Sequence, residues 1–81
     1  MKVTVKMFAS FREYTGIPQS VIEVAQGKTV GELWAELVEA YPRLEPLSKS
    51  AAFALNGRYS APDNPLSEGD VVAFLPPVSG G

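Results

Sequence analysis

The chain opens on Val3-Thr4-Val5-Lys6-Met7-Phe8, where apolar and polar side chains alternate with a period of two. That period matches the pleat of a strand, so Val3, Val5 and Met7 are expected on a covered face and Phe8 on the opposite one. Phe11 to Tyr14 reads as a short polar-aromatic turn or a single helical turn, ended by Gly16-Ile17-Pro18. Ser20-Val21-Ile22-Glu23-Val24 is a second β-rich run, closed by Gln26-Gly27-Lys28. From Thr29 the period changes. Thr29-Val30-Gly31-Glu32 is a capping box, in which the hydroxyl and the carboxylate each satisfy an amide at a helix start. Val30, Leu33, Trp34, Leu37, Val38 and Tyr41 then recur at helical spacing as one apolar stripe, with Glu32, Glu36 and Glu39 on the solvated side and Pro42 as the limit. Gly31 costs such a helix about 1 kcal/mol against Ala, so packing of the stripe must supply most of its stability.

Leu44 to Ser50 reads as a connecting loop, Pro46 preventing a continued helix. Ala51-Ala52-Phe53-Ala54-Leu55 is a short apolar run, and the Asn56-Gly57 turn after it leads into Arg58-Tyr59-Ser60 as a small hairpin. Pro62-Asp63-Asn64-Pro65 and Ser67-Glu68-Gly69-Asp70 are turn clusters on either side of Leu66. The last strand, Val71-Val72-Ala73-Phe74-Leu75, is apolar on both faces, as suits a central strand or one whose outer face meets a partner. The order ββαβ(β)β predicts an α+β fold, a mixed sheet of four to five strands with one main helix on one face and the first and last strands at its centre. That is the β-grasp arrangement, expected over residues 1–75, with residues 76–81 as an extended tail.

A length of 81 residues allows one small domain, and 46% hydrophobic with 20% charged residues fits a chain that folds. The net charge of -2 gives no cationic footprint, so nucleic acid is not an expected partner. With no Cys there is no disulfide, thiolate nucleophile or cysteine metal cluster. With no His, the usual acid-base side chain and the usual metal ligand are missing as well, so neither a bound metal nor side-chain catalysis is expected. The N-terminus lacks the continuous apolar segment of a signal peptide and no 18-residue apolar run follows, which points to the cytoplasm and away from membranes.

The candidate chemistry lies at the other end, Pro76-Pro77-Val78-Ser79-Gly80-Gly81. Two prolines supply no ladder amide and fix φ, so the strand stops and the chain leaves stiffly. The stretch from Pro77 to Gly81, extended at about 3.3 Å per residue, reaches roughly 16 Å. Gly80 and Gly81, without Cβ, are slender enough for a narrow channel, and the α-carboxylate of Gly81 rides at the tip. Ionised at neutral pH, it can attack an ATP phosphate when another enzyme brings the two together. Displacement of the resulting acyl-adenylate by a sulfur donor gives a thiocarboxylate; displacement by an amine gives an amide. In a cysteine-free chain, sulfur has only this place to sit.

Two stretches, Phe8-Ala9-Ser10-Phe11-Arg12-Glu13-Tyr14-Thr15-Gly16 and Pro65 through Gly81, resemble the small sulfur-carrier subunits of molybdopterin synthase, which are ubiquitin-like β-grasp proteins. The resemblance spans the chain, the second stretch being the more specific. It implies that Gly81 is adenylated by a ubiquitin-activating-like adenylyltransferase at the expense of ATP. A sulfur donor protein would convert it to a thiocarboxylate, and the tail would then enter the large synthase subunit. There the sulfur would pass to a cyclic pyranopterin monophosphate to build the molybdopterin dithiolene. It further implies a heterotetramer, with the catalytic side chains on the large subunit and no cofactor held by this chain.

Strand parity suggests the docking surface: Phe74 points inward only if Leu75 points outward, so Phe8, Tyr59 and Leu75 are expected to form an apolar patch beside the tail. Arg12 is a candidate for pairing with a partner carboxylate, whereas Trp34 and Tyr41 are expected in the core. Two other readings stay open. One is a carrier for thiamine or cysteine biosynthesis or tRNA thiolation; the other is a ubiquitin-like modifier joined to lysines through the same terminus.

Overall fold

A computed structural model describes residues 1–76. Its elements are β1 (Lys2–Met7), α1 (Ala9–Thr15), β2 (Gln19–Glu23), α2 (Val30–Ala40), a 3₁₀ helix (Pro42–Leu47), β3 (Ala52–Leu55), β4 (Arg58–Tyr59) and β5 (Val71–Leu75). The strands form one five-stranded mixed sheet in the order β2-β1-β5-β3-β4. β1 pairs antiparallel with β2 and parallel with β5, and β5 pairs antiparallel with β3. The doubly apolar last strand is therefore the central one, as its composition predicts. This is the expected α+β arrangement, a β-grasp.

Val3, Val5 and Met7 turn to the covered face with Val72 and Phe74, all of them buried, and α2 closes over them with Val30, Leu33 and Trp34. The capping box is formed: the Glu32 amide donates to Thr29 Oγ1 at 3.2 Å and the Thr29 amide to Glu32 Oε1 at 2.9 Å. The two amides before it are met from outside the helix. Val30 N–H donates to the Asn64 carbonyl at 2.9 Å and Gly31 N–H to the Pro62 carbonyl at 2.7 Å, so the loop after β4 seals the helix start. A Cβ on Gly31 would lie 2.8 Å from the Pro62 Cβ. The glycine that looks like a pure helix cost is thus the residue that lets this loop approach.

Three local expectations need correcting. Phe11 to Tyr14 belongs to a helix of seven residues, closed by Gly16 in the left-handed region at φ 74°, because Phe11 goes fully into the core and the Thr15 hydroxyl donates back to the Phe11 carbonyl at 3.0 Å. The segment expected as a loop from Leu44 is in part the 3₁₀ helix, with Pro46 inside it. Leu44 is wholly buried, and the bonds from Leu44 N–H to the Tyr41 carbonyl and from Ser48 N–H to the Glu45 carbonyl do not call on the N–H that Pro46 lacks. Leu66, about which the turn clusters on either side say nothing, is a core residue at 5% exposure, so no expectation is overturned there. The second strand lies one residue earlier than its expected span, although Val24 stays bonded to Met1.

Under the centre of the sheet the packing is aromatic. Trp34 stands 5.2 Å from Phe11, 5.3 Å from Phe74 and 6.0 Å from Phe53 between ring centroids, and Phe53 meets Phe74 edge to face. The Trp34 indole N–H is satisfied by Ser48 Oγ at 3.0 Å. Trp34 and Tyr41 are core-side residues as expected, Tyr41 being half-buried.

Candidate functional site

Among the described residues, the other face of the sheet carries no helix. Register puts Lys6, Ala73, Ala54 and Tyr59 side by side across it, since Lys6 pairs with Ala73, Ala73 with Ala54 and Ala54 with Tyr59. Leu75 is opposite Ala52 on the same face. The facing alanines make a low floor, and Phe8, Tyr59 and Leu75 stand around it. The result is an open, mostly apolar groove lined by Phe8, Ala54, Gly57, Tyr59, Ala73 and Leu75. Phe8 is 42% and Tyr59 81% exposed, while Phe74 in the same strand as Leu75 is fully buried.

The tight turn that brings Tyr59 here follows from Asn56 at φ 52° and Gly57 at φ 86°, the double positive-φ pattern of a type I′ hairpin. The Asn56 side chain then ties the hairpin to β5: its amide donates to Asp70 Oδ1 at 3.0 Å, and its oxygen accepts from Val71 N–H at 2.9 Å. Phe8 is held at the other wall as the extended residue before α1. β5 runs beside the groove to Leu75 and ends at Pro76, which is half-buried.

Three of the four residues assigned to partner binding, Phe8, Tyr59 and Leu75, are thus gathered in one groove. Arg12 is not among its lining residues; it is exposed near the end of α1 and, among the described residues, forms no ion pair. Pro77, Val78, Ser79, Gly80 and Gly81 lie outside the described residues. The residues that sequence reasoning missed are Ala54, Gly57 and Ala73, with Lys6 next to them. Part of the signal was present: small residues flank or separate large ones within each strand, Ala52 and Ala54 about Phe53 in β3 and Ala73 between Val72 and Phe74 in β5, but only the strand pairing sets Ala54 opposite Ala73.

The groove holds no acid-base machinery. Among the described residues no charged or polar residue is buried, and no group of three His, Cys, Asp or Glu residues is placed to hold a metal ion. The pKa of the Lys28 ammonium is raised above its ordinary value, first by its hydrogen bond to Glu36, with desolvation opposing and the Glu36 and Glu32 charges adding to the rise. It sits just before α2, beside the helix rather than the groove. What this surface can do is bury apolar area against another protein next to the end of β5. No helix among the described residues is long and apolar enough to cross a membrane.

Comparison with known proteins agrees with this fold. A relative named molybdopterin synthase sulfur carrier subunit, from Chlamydomonas reinhardtii, is 37% identical with both chains covered completely. SAMP1 of Haloferax volcanii, a small archaeal modifier protein, superposes with a TM-score of 0.82 at 30% identity over the whole of both chains. The complex of subunits 1 and 2 of the molybdopterin-converting factor of Helicobacter pylori contains a chain with a TM-score of 0.70 at 29% identity, again with full coverage of both. Residues 5–81 match the ThiS family. With its ubiquitin-like β-grasp sheet and an alignment that extends to Gly81, the chain belongs to the ThiS family.

Proposed function

We propose that this chain is the sulfur-carrier subunit of a molybdopterin synthase, with Gly81 as the reactive residue. The observation that carries the reading is the groove of Phe8, Tyr59 and Leu75 on the uncovered face, beside the strand whose end leads into Pro76 and the glycine tail. Full-length identity to a relative of that name, and likeness to a subunit seen in a two-subunit converting-factor complex, support it.

In this reading the groove docks on the large subunit and the tail of Pro77, Val78, Ser79, Gly80 and Gly81 enters that subunit's active site. Beforehand, an adenylyltransferase joins the Gly81 carboxylate to the α-phosphorus of ATP and releases pyrophosphate. Sulfur from a donor protein then displaces AMP, leaving the terminal thiocarboxylate. The large subunit supplies the catalytic side chains for transfer to the cyclic pyranopterin monophosphate, in a heterotetramer built on its own dimer. This chain has neither Cys nor His with which to perform that chemistry.

The test is intact-mass analysis of the chain after incubation with ATP, the adenylyltransferase and a sulfur donor. The expected product has one oxygen replaced by sulfur, on Gly81. Deleting Gly81, or extending the chain beyond it, should leave folding unchanged and abolish molybdopterin formation with the large subunit; an extended, untrimmed form that still supports synthesis would overturn the assignment. The likeness to SAMP1 favours one second reading, a protein modifier. Gly-Gly remnants on lysines of many cellular proteins, with no thiocarboxylate on the free chain, would replace the first reading by that one.

A further inference from the structure

We propose that the free edge of β2 is a self-pairing surface, through which two copies of this chain join their sheets antiparallel about Val21. The sheet has two edges. β4 is only two residues long and offers little template. β2 has five residues, Gln19-Ser20-Val21-Ile22-Glu23, with no Lys, no Pro and no bulge within it, and its one charge, Glu23, stands at the last position.

Its backbone direction follows from the bonds at its ends. Met7 N–H donates to the Pro18 carbonyl at 3.0 Å and Val24 N–H to the Met1 carbonyl at 2.8 Å. Hydrogen-bonded pairs alternate along an antiparallel ladder, so Ser20 and Ile22 direct their N–H and C=O groups toward β1, opposite Val5 and Val3. Those of Gln19, Val21 and Glu23 point away from the sheet, and no other described segment takes them up. The side chains of these same three residues lie on the uncovered face, where Val21 is 63% exposed.

A second copy fits this edge because the edge is complementary to itself. One antiparallel register places Val21 opposite Val21 and Gln19 opposite Glu23, and it pairs every outward N–H and C=O of both copies. On the uncovered face, valine then meets valine, and the Gln19 amide faces the Glu23 carboxylate, which is well exposed in one copy. On the covered face, Ile22 of the second copy arrives beside Ser20. Ser20 and Ile22 line an apolar cleft with Val5, Met7, Ile17, Leu37 and Tyr41, and the small serine leaves room for that isoleucine. Shifting the register by two residues in either direction leaves outward groups unpaired and sets Val21 against a polar side chain. Strands this short give an interface at the small end of specific contacts, so the dimer is weak. The groove beside β5 lies across the sheet and stays open on both copies, so the inference does not depend on the proposed function.

The test uses the whole chain, by sedimentation equilibrium from roughly 10 µM to 1 mM. The mean mass should rise from 8.7 kDa toward twice that value, and the Val21 and Glu23 amides should gain hydrogen-exchange protection as concentration increases. Val21→Lys sets two ammonium groups on the dyad and should weaken association at least 10-fold with unchanged thermal unfolding. Because the chain has no cysteine, Val21→Cys gives a second reading: hydrogen-bonded pairs have Cα atoms about 5.5 Å apart, within disulfide reach. It should cross-link under mild oxidation at least 10-fold faster than Lys49→Cys, an exposed position away from the edge. A chain that stays monomeric throughout the range, equal cross-linking of the two variants, or protection of this edge only when a different protein is added would overturn the proposal.

Discussion

Gly31→Ala sets two effects against each other, and the structure decides which one wins. In an isolated helix the substitution should stabilise by at most about 1 kcal/mol. Here the new Cβ would lie 2.8 Å from the Pro62 Cβ, closer than real Cβ contacts, and 3.0 Å from the Pro62 carbonyl oxygen, tighter than most of them. The obstacle is not a flexible side-chain end. Pro62 is a ring on a loop tied down by Val30 N–H to the Asn64 carbonyl, by the Thr29–Pro65 bridge and by buried Leu66. Overpacking of this kind costs about 1 to 3 kcal/mol. Moving the loop away also stretches the 2.7 Å bond from Gly31 N–H to the Pro62 carbonyl, worth about 1 kcal/mol. The balance is a loss of about 2 kcal/mol, which for a domain of this size lowers the midpoint of thermal unfolding by about 10 °C. Urea unfolding followed by far-UV circular dichroism and by the fluorescence of Trp34, the chain's one tryptophan, measures it. In a Pro62→Gly background, which lacks the Cβ that meets the new one, Gly31→Ala should cost less. A Gly31→Ala protein as stable as the parent or more so, or an unchanged cost in the Pro62→Gly background, would refute the steric reasoning.

Tyr59→Ala combined with Leu75→Ala should shift the midpoint of unfolding by only a few degrees, since both side chains are outside the core, and should weaken binding to the large subunit at least 10-fold by titration calorimetry. Asn56→Ala should cost about 2 kcal/mol in urea unfolding, from an alanine forced to φ 52° and two lost bonds to Asp70 and Val71. The Lys28–Glu36 pair sets a pH dependence. Because the folded-state pKa of Lys28 is raised, its stabilising contribution is complete below the unfolded value of about 10.4 and is lost as pH rises through the higher folded value. The stability difference between the parent and Lys28→Met should therefore be constant from neutral pH to about pH 9 and shrink above about 10.4; growth of that difference with rising pH would contradict the assignment.

The sequence itself determined whatever rests on local periodicity and local chemistry. Alternation in Val3, Val5 and Met7 fixed which face of β1 is covered, the Thr29–Glu32 capping box fixed the start of α2, and Asn56-Gly57 fixed the hairpin. Those signals act between near neighbours, so no distant contact is needed to interpret them. Parity along β5 carried the same logic to the gathering of Phe8, Tyr59 and Leu75. The tertiary structure alone decided the rest. Phe11, Leu44 and Leu66 sit among polar residues, prolines and glycines that look like turns. They are buried because the space between sheet and helix must be filled from whichever segment passes it. The role of Gly31 depends on Pro62, thirty-one positions away, and the alanine floor of the groove needs the pairing of β3 with β5. That β2 is left as an open edge is likewise a property of strand order, which long-range pairing sets and no local pattern encodes.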